Sequence, residues 1–338
     1  MIPTPSATGQ ASAVRWSGRA VGEPLHVIVD ELYRRVACYV VAEMGDGQAA
    51  YMHPAGTAFF ISVSIGPGVV SYAVTARHVI EDTHRNRDCR KMFLRGNTKA
   101  GRYEDVPVEY EDWVFHPETD IAVCRVSWSV INFFEASRME VLGGEDSVEP
   151  GQNVFLVGLF GRFPGEDKIN ALVRFGKVAL HKCPIPIKQT GRGDSLIDAY
   201  LIEATTWGGE SGAPVFLHDE YNLQQDFSDA IRALRRGDIE AAINHLEFRS
   251  VERTQVRSSQ VRPSLLGMLH GHFEVQMDVT ASGQPTGSEV SLTSGIAVVI
   301  PAEKIKETLM DARLVAEREQ IRLEMIRRST KPPKPGAI

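Results

Sequence analysis

Three residue types that can act together as nucleophile, base and orienting acid stand at the edges of apolar runs in this chain. Ser211 lies among glycines in W-G-G-E-S-G-A-P-V-F (207–216), His78 closes V-T-A-R-H-V (74–79), and Asp120 sits between a turn and an apolar run in H-P-E-T-D-I-A-V (116–123). A serine hydroxyl is a poor nucleophile until a base takes its proton. That base works best when a carboxylate fixes its tautomer and stabilises its positive form. The glycines permit the sharp turn that an oxyanion hole of backbone N–H groups needs, because no Cβ obstructs it. Gly209 and Ser211 would donate those two N–H groups. Taken singly, the glycine-serine run could be an ordinary turn, His78 a core histidine and Asp120 a turn cap. Their joint occurrence, in order and at strand ends, is what points to acyl-transfer chemistry.

The elements that must position them read as strands. From residue 36 to 217, short runs of β-branched and aromatic residues are broken by Gly, Pro, Asn and Asp, an all-β signature. The expected strands are 36–43, 57–64, 71–76, 92–95, 106–113, 121–126, 153–158, 171–180, 201–204 and 213–217, followed later by 265–270 and 295–300. This many short strands in one run suits two small barrels better than one sandwich or a βαβ sheet.

Two segments depart from the pattern. Residues 219–263 turn polar, with two short helical patterns separated by Gly237-Asp238; in the second, Ile239, Ala242, Ile243 and Leu246 share one face. This predicts a helical hairpin inserted between two strands. The other departure runs from Pro301 to about Arg328, a single helix opened by proline, with Ile305, Leu309, Ala312 and Ala316 along one stripe. Residues 1–24 and 331–338 are expected to be disordered.

Composition narrows the function classes. With 338 residues, 43% of them hydrophobic and 24% charged, the chain can bury a sizeable core. A net charge of −6 argues against nucleic acid as a main partner. No run approaches a membrane span, and residues 1–24 lack the apolar stretch of a secretory signal. Cys38, Cys89, Cys124 and Cys183 are widely spaced with no zinc-site pattern, so neither disulfides nor a metal is implied, and the expected location is the cytoplasm. His84, His116, His181 and His218 lack ligand-like companions and are expected in solvent. Gly193-Asp194-Ser195 imitates a nucleophile motif but has Leu196 where glycine is needed, and is expected to be a loop.

The sequence resembles the trypsin-like, chymotrypsin-fold serine peptidases, whose hallmarks T-A-x-H, D-I-A and G-x-S-G-x-P all occur here in order, in a chain whose histidine precedes its aspartate by 42 residues and whose aspartate precedes its serine by 91. G-T-A-F (56–59) is similar to the strand before the histidine in bacterial members, and S-G-I-A-V-V-I-P (294–301) to their last strand. The resemblance implies an all-β fold of two six-stranded antiparallel barrels, with the helical hairpin inserted and a C-terminal helix. It also implies that Thr205, Thr206, His270 and His272 are candidates to line the pocket for the side chain before the scissile bond. Thr205 stands where trypsin carries aspartate, so cleavage after Lys or Arg is not implied. Polar members with acidic preference and a pocket for small apolar side chains are both compatible. Glu210 replaces the aspartate that binds a newly freed amino terminus in the digestive enzymes, so activation of that kind is not implied either.

The resulting layout is an N-terminal barrel at 25–140 carrying His78 and Asp120, a C-terminal barrel at 141–300 carrying Ser211 and the insertion, and a helix at 301–330. The expected function is a cofactor-free serine endopeptidase acting on protein or peptide substrates, with no nucleic acid or membrane partner. A regulatory protein could dock at the insertion. The alternative is a catalytically silent module that grips a partner through the same cleft and insertion.

Overall fold

The computed structural model describes residues 29, 31–46, 49–126, 131, 133, 135–139, 142, 148–161, 163, 165–189, 193–217, 234–237, 263–277 and 290–329. The expected disorder at 1–24 and 331–338 and nearly all of the predicted helical hairpin at 219–263 lie outside these residues.

β-branched and aromatic runs form the strands, and their pairing sorts them into two sets. The first comprises β1 (Ala37–Met44), β2 (Tyr51–Ser64), β3 (Val69–Ala76), β4 (Cys89–Asn97), β5 (Tyr103–Val108), β6 (Trp113–Phe115), β7 (Ile121–Val126) and β8 (Ser137–Arg138). These pair in the order β5-β4-β1-β2-β3-β7-β6, all antiparallel, with β8 parallel beside β2. The central strand β2 is buried on both faces from Thr57 to Val63, which is why its sequence T-A-F-F-I-S-V hardly alternates. Helix α1 (Arg77–Arg85) follows β3 without a loop.

The second set is β9 (Asn153–Gly158), β10 (Leu172–Gln189), β11 (Gly193–Glu203), β12 (Pro214–Leu217), β13 (Leu265–Met277) and β14 (Val290–Pro301), closed as a barrel in the order β10-β11-β14-β13-β12-β9. Val154, Leu156, Tyr200, Ile202, Val215, Leu266 and Val299 fill it. The fold is therefore the all-β, chymotrypsin-like arrangement, with the second unit a closed six-stranded barrel and the first an eight-stranded sheet. β10 and β11 run further than their sequence suggests. Gly193-Asp194-Ser195, expected as a loop, opens β11 and pairs with Gln189, Lys188 and Ile187. Inward Ile185, Ile187, Ile197 and Ala199 give that extension an apolar face to keep, while Leu196 and Asp198 point out.

The C-terminal segment corrects a second expectation. Instead of one helix there are two, α2 (Ala302–Leu309) and α3 (Ala312–Ser329). Asp311 breaks the run, because its Oδ1 accepts the Arg313 N–H at 2.8 Å and so caps a new helix. Ile305 and Leu309 of α2 and Leu314 of α3 are buried. So is Arg318, only 7% exposed, which donates to the Leu309 carbonyl at 2.7 Å and to the Tyr72 hydroxyl of β3 at 3.2 Å. Among the described residues no helix is long and apolar enough to cross a membrane.

Arg318 thus ties both C-terminal helices to the first sheet. Arg318→Ala strands a helix-end carbonyl and a buried hydroxyl, and should cost about 2–3 kcal/mol of stability in a denaturant titration. Arg318→Lys should recover little of it, since a single ammonium cannot reproduce the forked donor.

Candidate active site

The turn before β7 is built around its own histidine. His116, expected in solvent, is buried; its Nδ1 accepts the N–H groups of Glu118 (3.1 Å) and Thr119 (3.0 Å), and its Nε2–H donates to Glu307 of α2 at 3.1 Å. Arg77 closes the other side. Its N–H reaches the Asp120 carbonyl at 3.2 Å, and its guanidinium meets the His116 carbonyl at 3.2 Å and Glu81 at 2.6 Å. The short motif H-P-E-T-D therefore delivers Asp120 to one fixed place.

That place is the start of α1. Ala76 precedes the helix and has no side chain to cap it, so Asp120 does so from across the fold: Oδ1 accepts the His78 backbone N–H at 2.8 Å. Oδ2 takes the His78 ring through Nδ1 at 2.6 Å. A second ring, His270 of β13, reaches the same Oδ2 through its own Nδ1 at 2.5 Å. An ionised carboxylate can only accept, so each imidazole carries its proton on Nδ1, and a neutral His78 presents a bare Nε2 lone pair.

The electrostatics follow from these three donors. Burial alone would raise the Asp120 pKa, yet the charge of His78 and the hydrogen bonds from His270 and His78 outweigh it and hold the carboxyl far below the usual carboxylate range. For His78, burial pulls downward, but the charge and hydrogen bond of Asp120, helped by Asp82 and Glu81, lift it above an ordinary histidine.

The loop carrying Ser211 is held from both sheets. Thr57 of β2 donates its N–H to the Ser211 carbonyl at 2.9 Å and its hydroxyl to the Gly209 carbonyl at 2.8 Å. The same hydroxyl accepts the Leu159 N–H at 3.2 Å, while the Thr57 carbonyl accepts the Thr75 hydroxyl at 2.6 Å, three residues before His78. On the far side, the Gly212 N–H meets the Leu269 carbonyl at 2.8 Å, next to His270. Gly212 has φ +89°, and a Cβ there would lie 2.0 Å from the Thr57 carbonyl oxygen, so the position admits only glycine. Gly209, at φ +95°, occupies the third position of a turn closed by the Glu210 N–H on the Trp207 carbonyl at 3.2 Å, the place where a type II turn needs glycine. Glu210 is fully buried beneath this turn. It pairs with Arg174 of β10 at 2.5 Å and accepts the Trp207 N–H at 2.9 Å.

The N–H groups of Trp207, Glu210, Gly212 and Ala213 are thereby consumed. Those of Gly209 and Ser211, like that of exposed Gly208, meet no acceptor among the described residues. Nor, among those residues, does the Ser211 hydroxyl hydrogen-bond to His78. In substrate-free sites this contact is often long and tightens only in the complex.

The pocket candidates are dispersed. Thr205 is exposed, whereas Thr206 is buried and its hydroxyl has no hydrogen-bond partner among the described residues. His272 lies half-buried on β13 opposite Ala297, and His270 is committed to Asp120. His78, Asp120 and His270 also form the one trio of potential metal ligands among the described residues. Their 2.5 and 2.6 Å separations are hydrogen-bond lengths. Two ligands on one zinc ion, each about 2.1 Å from it, stand more than about 3 Å apart.

Residues 56–222 match the profile of the trypsin-like peptidase domain. The chain carries a trypsin-like peptidase domain. No curated protein sequence matches it significantly. Solved structures that resemble it include the MamO protease domain from Magnetospirillum magneticum (16% identity, TM-score 0.44, covering 83% of this chain and 99% of that one). Others are the HtrA-type protease AlgW with a decapeptide (14%, 0.42, 82% and 65%) and the Rv3671c protease from M. tuberculosis in its active form (14%, 0.41, 82% and 80%). Identity this low carries no chemistry across, so this peptidase domain's own geometry has to supply it.

The lowered Asp120 and raised His78 make a testable pair. The Asp120 contribution is present above its unfolded pKa of about 3.9 and is lost as pH falls towards its lower folded value; the His78 contribution is present below about 6.5 and is lost as pH rises through its higher folded value. The stability advantage of the parent over Asp120→Asn should therefore be largest between about pH 4 and 6.5 and shrink on both sides, as read from urea midpoints across pH.

Proposed function

We propose that this chain is a serine endopeptidase in which Ser211 attacks the peptide carbonyl, His78 accepts and returns the proton, and Asp120 orients His78. The observation that carries this reading is that, among the described residues, the N–H groups of Gly209 and Ser211 meet no acceptor in a loop where those of Trp207, Glu210, Gly212 and Ala213 are taken. Two such donors fixed beside a serine are what a tetrahedral oxyanion requires. Substrate binds, Ser211 Oγ adds to the carbonyl carbon as its proton passes to His78 Nε2, and the oxyanion rests on the two N–H groups. The imidazolium, stabilised by Asp120, then protonates the leaving amine; water repeats the sequence on the acyl-enzyme.

A second reading, a protease-fold module that binds without cleaving, draws on the lack, among the described residues, of a Ser211–His78 hydrogen bond. One experiment separates the two. A fluorophosphonate probe should label the native protein at Ser211, and Ser211→Ala should abolish labelling and lower peptide turnover by on the order of 10⁴-fold. A native protein that resists the probe and cleaves no peptide library would favour the binding module.

For specificity, the buried hydroxyl of Thr206, without a partner among the described residues, supports a polar pocket, with His272 as its remaining histidine candidate. Cleavage-site mapping should place Glu or Asp before the scissile bond, and Thr206→Val should weaken that preference by about tenfold, the worth of one buried hydrogen bond to a charge. Sites dominated by Ala, Val or Leu would discard the acidic preference.

A further inference from the structure

The Asp120 carboxylate accepts three N–H groups, two of them from imidazoles on a single oxygen. Orienting His78 needs only one of these rings. The second, His270, comes from the closed barrel, 150 residues away, and its ring stands edge-on to that of His78 with centroids 5.4 Å apart. β13 bulges at this point: its register against β14 shifts between Leu269 and Gly271, so His270 stands at an irregularity of the ladder.

We propose that His270 is a second positioning histidine, which fixes the Asp120 carboxylate and, by holding the same oxygen as His78, makes the basicity of His78 depend on its own protonation. The inference rests on the peptidase reading for its kinetic consequence, though not for the sharing itself. With His270 neutral, the full charge of Asp120 is available to stabilise the imidazolium of His78. Once His270 is protonated, that charge is already compensated. His78 is then a weaker base, so its own titration carries the mark of the second ring on Asp120. A hydroxyl or amide donor at this position would hold the carboxylate equally well but could not switch it.

The surrounding charges are engaged with partners of their own, and Asp82 and Glu81 add to the upward pull of Asp120 on His78. On α1, Glu81 is paired with Arg77 and Arg85, and Asp82 lies 4.0 Å from Arg85. Helix α2, packed against β13, uses Glu303 on Lys182, Glu307 on Lys304 and His116, and Lys306 on the Leu142 carbonyl. β14 has no ionisable side chain, and that of β3, Tyr72, holds Arg318. Among the described side chains of β13, His272 is the further titratable group near this point.

The test uses the full chain carrying Ser211→Ala, so that histidine titrations can be followed by NMR whether or not the protein is a peptidase. Beside it stand His270→Asn, whose amide replaces Nδ1–H with a donor that does not titrate, and His270→Leu, which removes the donor. In the parent, His78 should titrate in two linked steps. In His270→Asn it should titrate in one, and in His270→Leu in one at higher pH, because its carboxylate partner is no longer shared. His270→Asn carries the test should His270→Leu fail to fold. In the active enzyme, His270→Leu should lower kcat about tenfold or more with little change in KM, as removal of an orienting partner does. His270→Asn should recover most of that loss while the acid limb of the pH profile falls from a two-proton to a one-proton slope. A His78 titration of unchanged shape and midpoint in all three proteins would overturn the proposal. Coupled titration in a protein that cleaves nothing would uphold the sharing of Asp120 and end the peptidase reading instead.

Discussion

A buried carboxylate must be surrounded by donors, and the Asp120 side chain, 5% exposed, is the point at which the fold meets that demand. Its three donors come from the first turn of α1 and from β13, so satisfying one charge brings the end of β3, the turn before β7 and a strand of the closed barrel together. Removing either ring would leave the charge in a low-dielectric setting with fewer partners. The same geometry that stabilises the anion also fixes which nitrogen of His78 is bare. Burial of the charge and orientation of the base are one arrangement seen from two sides.

Thr57 does for the loop at Ser211 what Asp120 does for the histidine. A threonine on the buried stretch of β2 offers an N–H, a carbonyl and a hydroxyl, and all three are engaged: two contacts reach the loop, one returns to Thr75 beside His78, and the hydroxyl also receives Leu159. Hydrogen bonds buried between two sheets are strongly directional, and a missing partner there is costly. The distance between the histidine strand and the serine loop is accordingly set by backbone and a short, β-branched side chain, with little freedom to drift.

Much of this was legible in the sequence because it is local. The apolar runs 121–126 and 153–158 coincide with β7 and β9, and V-T-A-R-H, H-P-E-T-D and G-G-E-S-G mark the three loops that converge. What was not legible depends on long-range pairing. Nothing near His270 announces Asp120, and a histidine on a strand fits a pocket wall as readily as a carboxylate. His116 read as solvated because its partners are backbone N–H groups and Glu307, which no pattern in 116–120 reveals. The break at Asp311 was hidden by a continuous helical stripe, although Asp is a strong cap and Met310-Asp311 carries no apolar duty. Gly193-Asp194-Ser195 carries turn residues yet pairs as strand, since the apolar alternation on either side extends the hairpin.

The ion pair beneath the Gly209 turn concerns placement. Glu210 sits under the donors proposed for the oxyanion, and the cation that neutralises it, Arg174, belongs to β10, a stave of the barrel that also contains the strand following Ser211. Charge and countercharge therefore meet as the barrel closes. The anchor beneath the turn is thus supplied by the barrel's own strand, and the placement of the loop donors is tied to the pairing of β10 in that ring.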